Sequence, residues 1–215
     1  MSNPRHGIFG GTFDPIHIGH LAVAERACDE LGLESIIFVP ALTPPHKPYR
    51  RVSPIAERVH MLELAIANNE RFSWSDADMR PGEPSYTVSL LGRLHATHPD
   101  AELHFIIGED SLRDFGTWHR PREILQLTQL AVAGRPGVTI DERLYAQLPE
   151  LRERVIRFDA PLLEVSSTAL RRRVSEGKSI RYLVPDTVNQ YVLESGLYRE
   201  PDVIYDNTEA IAPGV

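Results

Sequence analysis

Two histidines, His17 and His20, stand three residues apart in the run Gly10 to His20, GGTFDPIHIGH. On a helical first turn that spacing puts both imidazoles on one face. Gly19 between them keeps the face open. Gly10 and Gly11 let the main chain approach a phosphate with no Cβ in the way. Asp14-Pro15 is a turn signal that fixes how the chain enters a helix. Imidazoles beside the unpaired N–H groups of a helix start suit a polyphosphate whose charge shifts during reaction. Other phosphate and metal chemistries fit the run less well. A P-loop needs Lys-Ser or Lys-Thr after its second glycine, and a dinucleotide fingerprint needs GxGxxG. A zinc-protease helix needs histidines four apart with a glutamate between them.

A second constellation lies at Val165 to Arg171, VSSTALR. Ser166, Ser167 and Thr168 are good helix caps, and their hydroxyls with the free N–H groups make a phosphate seat. An arginine three residues in can reach back to it. Arg171, Arg172 and Arg173 fan out about 100° apart, so they cannot all face one site. Arg171 is the choice.

These residues must be positioned by an alternation of strand and helix. Apolar runs occur at Gly7–Phe9, Ser35–Val39, Phe72–Ser75, Leu103–Ile107, Gln129–Ala133 and Val155–Phe158. Helical patterns fall at Leu21–Leu31, Ile55–Asn68, Val88–His98 and Ile124–Leu127. The alternation predicts an α/β fold, a Rossmann-like doubly wound, mostly parallel sheet with helices on both faces. The run GGTFDPIHIGH then sits on a strand-to-helix turn, where open sheets place their ligands. Pro40 to Pro54 is a long, basic, proline-bearing loop, and loops of that length are usually functional or disordered. Helical patterns at Thr168–Glu176 and Asp186–Glu194 complete the chain. The expected organisation is a core over 1–165, a small C-terminal helical subdomain over 166–200 that completes the phosphate site, and a poorly ordered polar tail over 201–215.

Composition bounds the function. The chain has 215 residues, 42% hydrophobic and 25% charged, with a formal net charge of −7. That balance argues against a general nucleic-acid binder and asks for a local basic pocket if the substrate is anionic. The single cysteine, Cys28, can form no internal disulfide and fits a reducing cytoplasm as a small buried side chain. Neither a signal-peptide core nor a run long enough to span a membrane is present, so no membrane partner is expected.

The first run resembles the HxGH signature of the nucleotidylyltransferase superfamily, in the form carried by bacterial nicotinate-nucleotide adenylyltransferases. Further matches follow in that family's order. Val165 to Arg171 resembles its ISSTxxR, with valine for isoleucine. Pro44 to Lys47 resembles its PPHK loop, Ser85-Tyr86-Thr87 its SYT and Gly108-Glu109-Asp110 its GxD. Trp118 resembles its ring-stacking tryptophan, with His119 where a second aromatic often follows, and Arg135-Pro136-Gly137 resembles its RPG.

The resemblance implies adenylyl transfer from ATP to nicotinate mononucleotide, giving nicotinate adenine dinucleotide and pyrophosphate. It implies catalytic roles for His17, His20, Lys47 and Arg171. It implies ATP and phosphate contacts at Gly10, Gly11, Thr12, Phe13, Gly108, Asp110, Arg135, Ser166, Ser167 and Thr168, and mononucleotide contacts at Tyr86, Thr87 and Trp118. Mg²⁺ would arrive on the ATP phosphates, with no metal held by the protein itself. Two alternatives stay open at this point: another nucleotidylyltransferase on the same scaffold, and a non-catalytic nucleotide-binding regulator.

Overall fold

A computed structural model describes residues 3–42, 52–134, 141–161 and 163–200. Six strands form one sheet: β1 (Arg5–Gly11), β2 (Ser35–Pro40), β3 (Phe72–Trp74), β4 (Glu102–Gly108), β5 (Gln129–Gly134) and β6 (Val155–Asp159). Every pairing is parallel, in the order β3-β2-β1-β4-β5-β6. This is the Rossmann order, and it reverses between β1 and β4. All six expected strands are present, within two residues at each end.

The sheet is covered on both faces, as parallel strands require. Alternate residues of each strand go to opposite sides. Ile36 and Phe38 join one core with α1 (Ile18–Leu31), α2 (Ile55–Ile66), α8 (Ser167–Ser175) and α9 (Asp186–Ser195). Ile37 and Val39 join the other with α3 (Thr87–Thr97) and α5 (Pro121–Leu127). Among the described residues three further helices are short: α4 (Glu109–Arg113), α6 (Glu142–Gln147) and α7 (Leu151–Arg154). At four to six residues they are too short to show a helical period. Cys28 is buried in the first core, as expected. Leu170 of α8 and Val188 and Val192 of α9 pack in that same core with Phe13, Ile16 and Phe38. The 166–200 segment thus shares the sheet's core.

Thr128 ends α5 and repairs the start of the β4–β5 ladder. It is 3% exposed. Its hydroxyl accepts from the Phe105 N–H at 3.0 Å and donates to the Leu103 carbonyl at 2.7 Å. Thr128→Val keeps the shape and strands both backbone groups. Each unsatisfied buried group costs about 1–3 kcal/mol. Urea unfolding should show a loss of about 2 kcal/mol or more at unchanged m-value. A loss under about 0.5 kcal/mol would mean that the backbone groups find other partners.

Candidate active site at the β1–α1 turn

The carboxyl ends of β1 and β4 flank the point where the strand order reverses, and a cleft of about 360 Å³ opens there. Gly10, Gly11 and Thr12 form one part of its wall, Gly108 and Ser111 another, and Thr87 and Trp118 a third. A second cleft of about 380 Å³ shares Ser85, Thr87 and Trp118 with the first and is closed by Tyr86 and His119. Two of the expected mononucleotide residues thus stand where both clefts meet, and Tyr86 lines the second.

The β1–α1 turn carries the histidines. His17 is the N-cap of α1, in extended conformation, and is 6% exposed. Its Nδ1 is turned to the first helical turn and closes no hydrogen bond. His20 accepts the His17 N–H on its own Nδ1 at 3.2 Å. The two rings stack, 3.7 Å between centroids and 22° between planes. Where Nδ1 accepts a backbone N–H, as at His20, a neutral imidazole carries its proton on Nε2. The stacked pair sits at the start of α1. Gly19 permits this: a Cβ there would sit 3.0 Å from His17 Nδ1. Burial pushes the His17 imidazole down to about 4, so the ring is neutral at physiological pH.

Gly11 has a second reason beside its place on the cleft wall. A Cβ there would lie 2.8 Å from the Phe13 ring, which is 1% exposed and packs edge-on to Phe9 and Phe38. Phe13 thus turns its ring into the core, in a left-handed backbone conformation (φ 50°), and leaves only its main chain to a ligand.

The turn itself is pinned from several directions. Asp14 is 3% exposed, and its carboxylate accepts from the Tyr198 hydroxyl at 2.6 Å and the Ser53 N–H at 3.2 Å. Arg171 donates from Nη1 to the Asp14 carbonyl, and the same nitrogen lies 3.9 Å from Asp14 Oδ2. Arg58, 1% exposed, donates to the carbonyls of Thr12 at 2.8 Å, Ala41 at 2.9 Å and Ser53 at 3.0 Å. Ser167 donates to the Pro15 carbonyl at 2.9 Å, and the Ile18 N–H bonds to the Leu183 carbonyl at 3.1 Å. Ser166 caps α8, accepting from the Ala169 N–H at 3.2 Å. Thr168 lies 3.4 Å from Arg171 Nη2.

Two residues of the segment expected to seat a phosphate, Ser167 and Arg171, thus bind the turn, and Arg171 is a buried clamp on it. Arg172 is exposed, and Arg173 is occupied with the Ser179 carbonyl. Asp110 lines neither cleft. It pairs with Arg113 at 3.1 Å, its side chain 92% exposed. Lys47 and Arg135, with the PPHK loop and most of the RPG turn, lie outside the described residues, as does the 201–215 tail. Arg58, Tyr198 and Asp78 belong to the site and to none of the motifs. The partners of Arg58 and Tyr198 on the turn are distant in sequence, and no local pattern marks them.

The family profile described as cytidylyltransferase-like matches residues 8–173. A probable nicotinate-nucleotide adenylyltransferase of Thermomicrobium roseum is 47% identical over 212 residues, covering 98% of this chain and 99% of its own. One of Desulfitobacterium hafniense is 44% identical over 198 residues, covering 91% and 96%. The chain belongs to the cytidylyltransferase-like family, in its nicotinate-nucleotide adenylyltransferase branch. Among solved structures, the Plasmodium falciparum nicotinic acid mononucleotide adenylyltransferase complexed with NaAD superposes with a TM-score of 0.74 at 20% identity, over 91% of this chain and 98% of that one. At that identity the likeness is one of fold. The cytidylyltransferase-like profile ends inside α8, so α9 and Tyr198 lie beyond it.

Burial of His17 makes stability depend on pH. Its ordinary value is 6.5 and its folded value about 4. Between these the unfolded chain binds a proton that the folded chain does not. Stability is therefore lost as pH falls from about 6.5 toward 4, and is insensitive to this residue above that window. Of the stability lost between pH 7 and pH 5, about 2 kcal/mol should vanish in His17→Gln, measured by urea titration at both values. His6 and His104, also lowered by burial, act alike in both proteins. An equal loss in parent and variant would mean that His17 titrates freely.

Proposed function

We propose that this chain transfers the adenylyl group of ATP to nicotinate mononucleotide, forming nicotinate adenine dinucleotide and pyrophosphate. The observation that carries the proposal is the junction of two clefts beside one histidine turn. One wall is a glycine turn at a helix start, suited to phosphates, and another is Trp118, suited to a flat ring. The relatives of the same branch support the choice of substrates.

A 5′-phosphate oxygen of the mononucleotide attacks the α-phosphorus of ATP in line. The bond to the bridging oxygen breaks, and pyrophosphate leaves with its electron pair. A phosphate monoester is already a competent nucleophile, so no side chain need act as nucleophile or strong base. The work is positioning and charge stabilisation. The Nε2–H groups of His17 and His20 would hold phosphate oxygens as charge builds. The Gly10 to Thr12 backbone and the α1 N-terminus would add fixed donors. Ser167 and Arg171 hold that turn in place. Lys47 and Arg135 keep the roles that the resemblance implies, at the triphosphate and near the adenosine.

Mg²⁺ enters as a passenger on ATP. Among the described residues no group of three or more metal-ligating side chains is gathered. Phosphate oxygens and water would complete its shell. No helix among the described residues is long and apolar enough to cross a membrane. We assign the reaction to the cytoplasm.

Selectivity for the acid would arise at α3. Tyr86 caps that helix, and no acidic residue stands in its first turn. Its free N–H groups and partial positive charge favour a carboxylate. A carboxamide brings no charge and turns donors toward donors, a mismatch of about 1–3 kcal/mol. With ATP, kcat/KM for nicotinate mononucleotide should exceed that for nicotinamide mononucleotide by roughly 10- to 100-fold, read as pyrophosphate release. Equal values would remove the helix start from recognition.

Gly19→Ala separates catalysis from stability. Alanine favours a helix over glycine by up to about 1 kcal/mol, which offsets the crowding of His17. Tm should stay near the parent value while kcat falls by about tenfold or more, because the imidazole is displaced. An unchanged kcat would show that the position of His17 is not limiting.

A further inference from the structure

Asp78 lies on the connection between β3 and α3, in none of the sequence motifs. It is 6% exposed, yet it lines the cleft that runs from the Gly10 to Thr12 turn to Thr87 and Trp118. Among the described residues of that wall it is the one charged side chain. Its charge is negative, on the wall of a site read as taking only anions. Such a group is costly unless hydrogen-bond donors meet it. The Ser85 side chain and the Leu42 N–H bond to its carboxylate, and Arg93 lies near enough to attract it. Arg93 is itself engaged with the Ala77 carbonyl at 3.1 Å and with Glu83. An ionised carboxylate has about four acceptor sites. The two protein donors leave capacity for a ligand.

The chemistry of the mononucleotide narrows what that ligand group is. A nicotinate carboxylate and a phosphate dianion have no donors. The two ribose hydroxyls are the donors that such a molecule carries. With the phosphate at the Gly10 to Thr12 turn and the ring at Trp118, the pentose must cross this cleft. We propose that Asp78 accepts hydrogen bonds from the ribose hydroxyls of the mononucleotide and thereby selects ribonucleotide over deoxyribonucleotide substrates. The assignment rests on the adenylyl-transfer reading of the site. Burial raises the Asp78 carboxyl above its ordinary range, in keeping with a carboxylate that lacks water and gains from added donors.

The test compares nicotinate mononucleotide with its 2′-deoxy and 3′-deoxy forms in the full-length parent, Asp78→Asn and Asp78→Ala, by pyrophosphate release with ATP. The parent should favour the ribo form over at least one deoxy form by about 10- to 100-fold in kcat/KM, as loss of a hydrogen bond to a charged group does. The ratio should fall to near unity in Asp78→Ala and to an intermediate value in Asp78→Asn, which keeps one acceptor oxygen. A role limited to tying Ser85 to Leu42 would slow ribo and deoxy substrates equally and leave the ratio alone, which overturns the proposal. So does a parent that turns over ribo and deoxy forms at the same kcat/KM, whether or not either variant folds. Absence of any pyrophosphate release by the parent with the ribo substrate would instead bring down the adenylyl-transfer reading, and the ribose assignment with it.

Discussion

The Asp14 carboxylate, buried at 3% exposure, is the interaction on which the rest of the site depends. An ionised carboxylate taken out of water costs several kcal/mol unless it is hydrogen-bonded and faced by opposite charge. Here the Tyr198 hydroxyl, the Ser53 N–H and Arg171 supply both. Arg58, equally buried, ties the neighbouring Thr12 carbonyl to Ala41 and Ser53. These partners come from the exit of β2, the entry and body of α2, α8 and the segment after α9. The turn that carries His17 is satisfied only when all of them are packed. That is why residues 166–200 share the sheet's core and donate directly into the turn.

A pinned turn explains how an acidic protein handles anionic substrates. The formal net charge is −7, so attraction must be local. On the proposed reading it comes from the starts of α1 and α3 and from His17 and His20. Burial keeps His17 neutral, so it brings a fixed donor without a counter-ion. Donors fixed before the reaction need no reorganisation as charge develops, which is where such sites gain most of their rate. Asp14, Arg58 and Arg171, which hold the turn, are buried.

Much of this was legible in the chain because it is local. GGTFDPIHIGH lies on a strand-to-helix turn, and the six strands run in the expected places. Trp118, Tyr86 and Thr87 meet at the clefts. Other parts were not legible because their causes are distant. Tyr198 meets Asp14 across 184 residues, and Arg58 meets Thr12 across 46. In a sequence both look like ordinary surface residues. Helical geometry says that three successive arginines cannot share one face, but the burial of Arg171 against Asp14 depends on a partner 157 residues away. Gly11 looked like a phosphate glycine, and its missing Cβ makes room for Phe13. Asp110 sits in its expected place after β4, but a helix begins there and turns its side chain to Arg113.

On the proposed mechanism fixed donors promote one direct displacement at phosphorus, with no bond formed between the protein and the adenylyl group. That mechanism is tested most directly by the stereochemistry at the α-phosphorus. ATP made chiral there with sulfur and isotopic oxygen would be converted to the dinucleotide and its configuration read by phosphorus NMR. A single in-line displacement inverts the centre, and inversion is the expected result. Retention would require two displacements and a covalent adenylyl-protein between them, and would contradict the mechanism.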